Sequence, residues 1–248
     1  MVSNLEIVKN SAFLNMAIYD YDGFEKVTWD HLETTNPLSI YWGLKTMNNI
    51  NYFTFRGSYT FLDWLKDFCA IENPFYTAYG TVEVHPGFHI GTPQVYQQMK
   101  AMVKGDYVVN GHSKGAGEAD NIVVAGCLDK NPPIARVVFG EPRPGDKAFG
   151  AIMQDVPGFS LVNQDANGHD EIVDVPFDIW PEAYQHPGPL FKVSEPPQSN
   201  DPWGTFAYHH MQLYYAAVQR LTASTLDLHH ASSKLRKMAY FKPARIKE

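Results

Sequence analysis

Apolar positions along the 248-residue chain change period several times. Leu5, Ile7, Val8, Phe13, Leu14 and Ala17 form a loose helical stripe, which predicts a helix over 5–19 packed on a sheet edge. Residues 20–36 are polar and turn-rich. Residues 39–45 read as a strand, Met47-Asn48-Asn49 as a turn, and Ile50 to Phe55 as a second strand. Phe61, Trp64, Leu65 and Phe68 return to helical spacing. A loop over 70–83, with Asn73-Pro74 and Tyr79-Gly80, leads to a helix from about Thr92 to Val103. An apolar run ending in Val108-Val109, followed by Ala116, Ala119, Ile122, Val123 and Ala125, predicts a strand and then a helix within about 106–128. Ala135–Phe139 and Phe159–Val162 read as buried strands, with a short helix from Phe149 to Gln154 between them. Residues 177–207 are rich in proline and aromatics and predict a long loop with a short strand at Leu190–Val193. Tyr208 to Tyr215 lead into a helix reaching about Leu221. Strands alternating with helices imply an α/β domain around a mainly parallel sheet with right-handed crossovers. The length suits a single domain over 1–248.

Composition is ordinary for a globular protein, and a net charge of -7 argues against a nucleic-acid partner. Cys69 and Cys127 are the only cysteines, too few for a disulfide framework and not spaced for a metal. His85 and His89 are four apart, but Pro86-Gly87 between them forbids the helix that would align them as ligands, so no metal site is predicted. No apolar run reaches membrane-spanning length, and no basic segment with an apolar core opens the chain. The expectation is a soluble protein without a signal peptide, cytoplasmic by default, with release after lysis or association with a virion left open. The tail from about 233 to 248 is basic and reads as a solvated terminus rather than a membrane anchor.

The chemistry concentrates in Gly111-His112-Ser113-Lys114-Gly115, a Gly-x-Ser-x-Gly match between the predicted strand and helix. A strand turning sharply into a helix presents one serine on strained backbone, and glycine on either side avoids a clash across the turn. Five such residues also occur by chance in loops; the strand before and the helix after favour a nucleophile. Phe55-Arg56-Gly57-Ser58 is a second strand-to-helix passage, by itself a weak signal.

Four separated stretches together resemble the class 3 lipases of the α/β-hydrolase fold. Phe55-Arg56-Gly57-Ser58, with Asp63-Trp64, resembles that family's oxyanion segment, and Val84-His85-Pro86-Gly87-Phe88 its Val-His-x-Gly-Phe strand end. Gly111 to Gly115 resembles its nucleophile elbow, and Phe139-Gly140-Glu141-Pro142-Arg143-Pro144-Gly145 its Phe-Gly-x-Pro-Arg-x-Gly segment. Their order is the family's order, and the resemblance spans about 45–215. It implies an α/β-hydrolase fold with helices on both faces of the sheet, and an acid and a base after the serine. Asp170, which begins Asp-x-x-x-x-x-Pro, resembles the acid, with Asp165 and Asp174 as rivals. His209, five residues before Tyr214, resembles the base, with His210 as the competitor; His186 resembles a structural segment. Lys114 stands where leucine is usual, and Ala116 where glycine is common. The lack of the signals and disulfides of fungal secreted members suggests a bacterial, phage or intracellular relative.

The resemblance implies a serine carboxyl-ester hydrolase, a lipase or esterase working through an acyl-enzyme on Ser113 with His209 and Asp170. Ser58 and Lys114 are the implied oxyanion donors, no cofactor is required, and the partner is a small-molecule or lipid ester. Tyr59–Phe68 corresponds to the family's lid, so Phe61, Trp64, Leu65 and Phe68 are candidate lid residues with transient contact at a lipid surface; the other reading is a fixed core helix. Two further functions stay open: an aryl or feruloyl-type esterase, from the aromatic loop, and an inactive hydrolase fold serving as a binding or virion component.

Overall fold

A computed structural model describes residues 2–34, 39–58, 76–80, 82–176 and 184–226. In chain order these form helix α1 (Asn4–Ala17) and strands β1 (His31–Glu33), β2 (Tyr41–Met47) and β3 (Ile50–Arg56). Strands β4 (Tyr76–Ala78) and β5 (Val82–Val84) precede helices α2 (Pro86–His89) and α3 (Thr92–Met102). Strand β6 (Tyr107–His112) runs into helix α4 (Lys114–Leu128), and strand β7 (Ala135–Phe139) is followed by helix α5 (Lys147–Ile152). Strands β8 (Gly158–Asn163) and β9 (Leu190–Val193) and helix α6 (Met211–Gln219) complete the set.

Among the described residues the main sheet has the order β1-β2-β3-β6-β7-β8-β9. The pairs from β3 to β9 are parallel, and β1 and β2 add an antiparallel edge. The sequence explains why the middle strands lack polar alternation. Val108, Val137 and Phe139 point into the layer formed with α1 and α6, where Leu14, Tyr214 and Val218 meet them. Val109 and Val138 point the other way, into the layer built with Ala116 and Ile122 of α4. A strand covered on both faces is apolar along most of its length, and the polar side chains buried among these strands, such as Asn110, Arg136 and Ser160, have hydrogen-bond partners. The result is an α/β-hydrolase fold, with helices on both faces of the sheet.

Helix α1 lies over β3, β6 and β7, in the middle of the sheet rather than on its edge. It is held between the sheet and α6, so its buried positions spread around the helix and blur the stripe. Asn15 sits on the sheet side and donates to Asn110 Oδ1 at 2.7 Å. Ser3 caps the helix by accepting the Glu6 N–H, an interaction worth about 1 kcal/mol.

Three other elements depart from the sequence reading. The end of the expected 70–83 loop is the β4–β5 hairpin, turned at Tyr79-Gly80. Residues 20–36 contain the edge strand β1. Pro86-Gly87 does not prevent a helix, because Pro86 takes the first position, where its missing N–H leaves nothing unpaired. That helix lasts one turn. His85 stands outside it as the cap, Nδ1 accepting the Gly87 N–H at 3.1 Å, while His89 Nδ1 meets Asn121 Oδ1 at 2.9 Å. The two histidines therefore serve separate local bonds. The candidate lid residues Phe61, Trp64, Leu65 and Phe68, and the basic tail, lie outside the described residues.

Candidate active site

β6 ends at His112, and the chain enters α4 at Lys114 through Ser113, whose φ of 60° and ψ of -130° are unusual for a residue with a side chain. Backbone held there costs roughly 1–3 kcal/mol. Val108, Val109, Ile122 and Val123 are wholly buried on either side, and full burial of each contributes about 1.5–3 kcal/mol, so packing outweighs the strain. The flanking glycines are steric necessities. A Cβ on Gly111 would stand 2.2 Å from Gly115 O, and one on Gly115 would stand 2.3 Å from Phe55 O. The Ser113 N–H donates to Phe139 O at 3.0 Å, which locks the turn to β7. Its hydroxyl is buried and, among the described residues, has no hydrogen-bond partner.

Asp170 follows β8. Its N–H returns to Asn163 O, and Oδ1 accepts the Ile172 N–H at 2.9 Å, capping the 3-10 turn Glu171–Asp174. Oδ2 accepts from His209 Nδ1 at 2.7 Å and from the Tyr214 hydroxyl at 2.5 Å. Asp170 and His209 are at most 1 % exposed. Burial alone would raise the Asp170 carboxyl, but the adjoining His209 and the bonds from His209, Tyr214 and Ile172 hold it below the ordinary value. An ionised Asp170 can only accept, so His209 carries its proton on Nδ1 and leaves Nε2 as a base. Gly140, at φ +53°, makes room for the pair: a Cβ there would stand 2.5 Å from Asp170 Oδ2 and 2.8 Å from His209 Nδ1.

His112 braces this arrangement from behind. Its ring stacks on His209 at 4.6 Å, and Nε2 contacts the His209 carbonyl at 2.8 Å. Because that carbonyl can only accept, Nε2 holds the proton and Nδ1 accepts from the Tyr19 hydroxyl at 2.8 Å. Burial, reinforced by the neighbouring His209, pushes the His112 imidazole well below its ordinary value and keeps it neutral. Tyr19, and the bracing roles of His112 and Tyr214, do not appear in the sequence reading. Tyr214 carried a signal in its spacing from His209. Tyr19 carried none, since 93 residues separate it from His112.

Ser113 and His209 line one cavity of about 190 Å³, together with Ser58, Tyr19, Tyr21 and Trp203. The rival residues are engaged elsewhere. Asp165 accepts from the Tyr208 hydroxyl and shapes the turn to Gly168, and Asp174 accepts from His169 at 2.8 Å. His186 Nε2 donates to Val173 O at 2.8 Å. His210 lies in the cavity wall but bonds to Asp201.

Residues 52–179, just over half of the chain, match the family described as lipase (class 3). The chain belongs to the class 3 lipase family. A class 3 lipase is a carboxylic ester hydrolase, and that is this chain's reaction. The fold is also that of solved lipases. The mono- and diacylglycerol lipase from Aspergillus oryzae is 17 % identical at a TM-score of 0.64, over 83 % of this chain and 85 % of that one. The lipase from Rhizopus microsporus var. chinensis is 17 % identical at a TM-score of 0.59, over 85 % of each chain. A triacylglycerol lipase whose catalytic centre is formed by a serine protease triad is 19 % identical at a TM-score of 0.55, over 78 % of this chain and 82 % of that one. Aspergillus and Rhizopus are fungi, so these neighbours lend no support to a bacterial or phage kinship. No helix among the described residues is long and apolar enough to cross a membrane.

In this class 3 lipase the unusual Lys114 turns its ammonium away from the cavity lining. It pairs with Glu118, one turn along α4, and donates to Ser39 O at 3.2 Å. Burial raises the Glu118 carboxyl to about 7 against the opposing pull of Lys114. The backbone N–H of Lys114 stays in the first turn of α4, where N–H groups have no acceptor within the helix.

Proposed function

We propose that the class 3 lipase hydrolyses carboxyl esters through an acyl-enzyme on Ser113, with His209 as base and Asp170 as its partner. The observation that carries this reading is the 2.7 Å contact between Asp170 and His209 at the wall of the cavity that also holds Ser113. The triad named for a triacylglycerol lipase of the same fold supports it. Ser113 Oγ attacks the ester carbonyl while His209 Nε2 takes its proton. The tetrahedral oxyanion is held by the N–H groups of Ser58 and Lys114, with the Ser58 hydroxyl as a third donor. His209 then gives the proton to the departing alkoxide, and the alcohol leaves. Water, deprotonated by His209, attacks the acyl-enzyme; the proton returns to Ser113 and the carboxylic acid is released. Asp170 stays ionised throughout and steadies the imidazolium.

The substrates are lipid or small-molecule esters. A second reading, esters with a flat aromatic acyl group, draws on Tyr19 and Tyr21, whose rings stack at 5.2 Å in the cavity wall, with Trp203 beside them. A panel of alkanoyl and cinnamoyl esters separates the two by kcat/KM.

A fluorophosphonate should label the protein once, and peptide mass mapping should locate the adduct on Ser113. Ester turnover without that adduct would overturn the mechanism. Ser58→Ala should lower kcat by roughly a hundredfold or more with little change in KM, because a preorganised oxyanion donor is worth about 3–4 kcal/mol in the transition state alone. Steady-state kinetics decide it, and an unchanged kcat would remove the Ser58 hydroxyl from the oxyanion site.

A further inference from the structure

Most of the cavity wall is apolar or aromatic, with Tyr19, Tyr21, Trp203 and Met211, but polar groups stand beside the proposed base. His210 directly follows His209, and both line the cavity with Gln212. Asp201 holds the His210 ring by Nε2, at 3.0 Å from Oδ2, and is itself fixed by the Trp203 N–H at 2.9 Å. The ring lies against Trp203, with centroids 4.1 Å apart. Two contacts therefore set its orientation. Among the described residues no hydrogen bond engages His210 Nδ1 or the Gln212 amide. An alkyl chain laid over these groups would strip their water and return nothing.

From this arrangement we infer that His210 and Gln212 form a subsite for a neutral hydroxyl carried by the substrate close to its scissile ester. The inference rests on the proposed role of Ser113 and His209 and names the substrate class that this site prefers. A hydroxyl both donates and accepts. It donates a hydrogen bond to Nδ1 and accepts one from the Gln212 amide N–H. Asp201 makes the site selective for hydroxyl over carboxylate, since a second anion near its charge is repelled. The hydroxyl belongs either to the alcohol part, as in a partial glyceride, or to the acyl part, as in a hydroxyacyl ester.

Two substrate pairs distinguish these sources. Glyceryl monobutyrate against propyl butyrate places the hydroxyls on the alcohol, and methyl 3-hydroxybutyrate against methyl butyrate places one on the acyl chain. The native protein should favour the hydroxylated member of one pair by kcat/KM. His210→Phe and Gln212→Leu should each reduce that preference by about three- to tenfold, the size of one lost hydrogen bond to a neutral partner. The preference is a ratio within one protein, so a general loss of active enzyme cancels. Gln212 is exposed, and its variant decides the matter should His210→Phe fail to fold. Preferences unchanged in both pairs, with fluorophosphonate labelling of Ser113 intact, overturn the subsite alone. Absent labelling of the native protein overturns the mechanism and the subsite with it.

Discussion

Ser113→Ala is expected to lower ester turnover by roughly four to six orders of magnitude while leaving the fold intact. The size follows from the role: no acyl-enzyme forms without Oγ, and any residual rate comes from binding and the oxyanion donors. The stability half of the expectation is specific to this structure. The Ser113 hydroxyl is buried and makes no hydrogen bond among the described residues, so its removal breaks none of theirs. Alanine inherits the same strained φ of 60°, so strain is unchanged too. The variant should therefore melt at the native temperature or slightly above it, as relief of an unpaired buried polar group allows. Turnover and a thermal melt on one preparation check both halves. A folded variant that keeps near-native turnover would remove Ser113 from the chemistry.

Asp170→Asn should lower kcat by about ten-thousandfold, as loss of the orienting carboxylate does in other triads. The hydrogen bonds around Asp170 say why an amide cannot stand in. Both carboxylate oxygens accept: Oδ1 from the Ile172 N–H, Oδ2 from Tyr214 and His209. If the asparagine oxygen keeps the Ile172 bond, its NH2 faces His209 and forces the proton onto Nε2, so the base is lost. If the amide flips, two N–H groups oppose each other in a buried site, which costs about 1–3 kcal/mol of stability. Asp165→Asn is the matched comparison, because Asp165 shapes a surface turn and does not contact His209. Equal losses in the two variants would mean that Asp170 has been misread.

The parts of this protein legible in its sequence are those where one physical demand fixes the residues. Ala135–Phe139 and Leu190–Val193 have the same bounds in sequence and structure, because each is a short, mostly apolar run that starts shortly after proline and ends at glycine or a polar residue. The elbow is legible because backbone atoms from Gly115 and Phe55 exclude any side chain at its two glycines. The β4–β5 hairpin was not, because three-residue strands are too short to show a period. Helix α1 showed its type but not its place, since burial from two sides erases the stripe that would aim it. Around the site, Asp170 and His209 carried local patterns, whereas Tyr19 on His112, His112 on His209 and Asp201 on His210 are contacts that only the fold brings together. The rivals Asp165, Asp174 and His210 show the limit of spacing: each is also a polar residue in a fitting place, and only hydrogen bonds separate them from Asp170 and His209.

The proposed base and its acid are brought together late in the chain, because Tyr214 of α6 donates to Asp170 and the turn before α6 carries His209. The elbow at Ser113 is complete much earlier in the chain. During synthesis on a ribosome, β6 and α4 emerge and can settle against β3 while the segment holding His209 is still in the exit tunnel. On the proposed roles, a nascent chain holds Ser113 without its base until α6 docks beside α1 and places His209, and a chain ending before His209 should show no ester turnover.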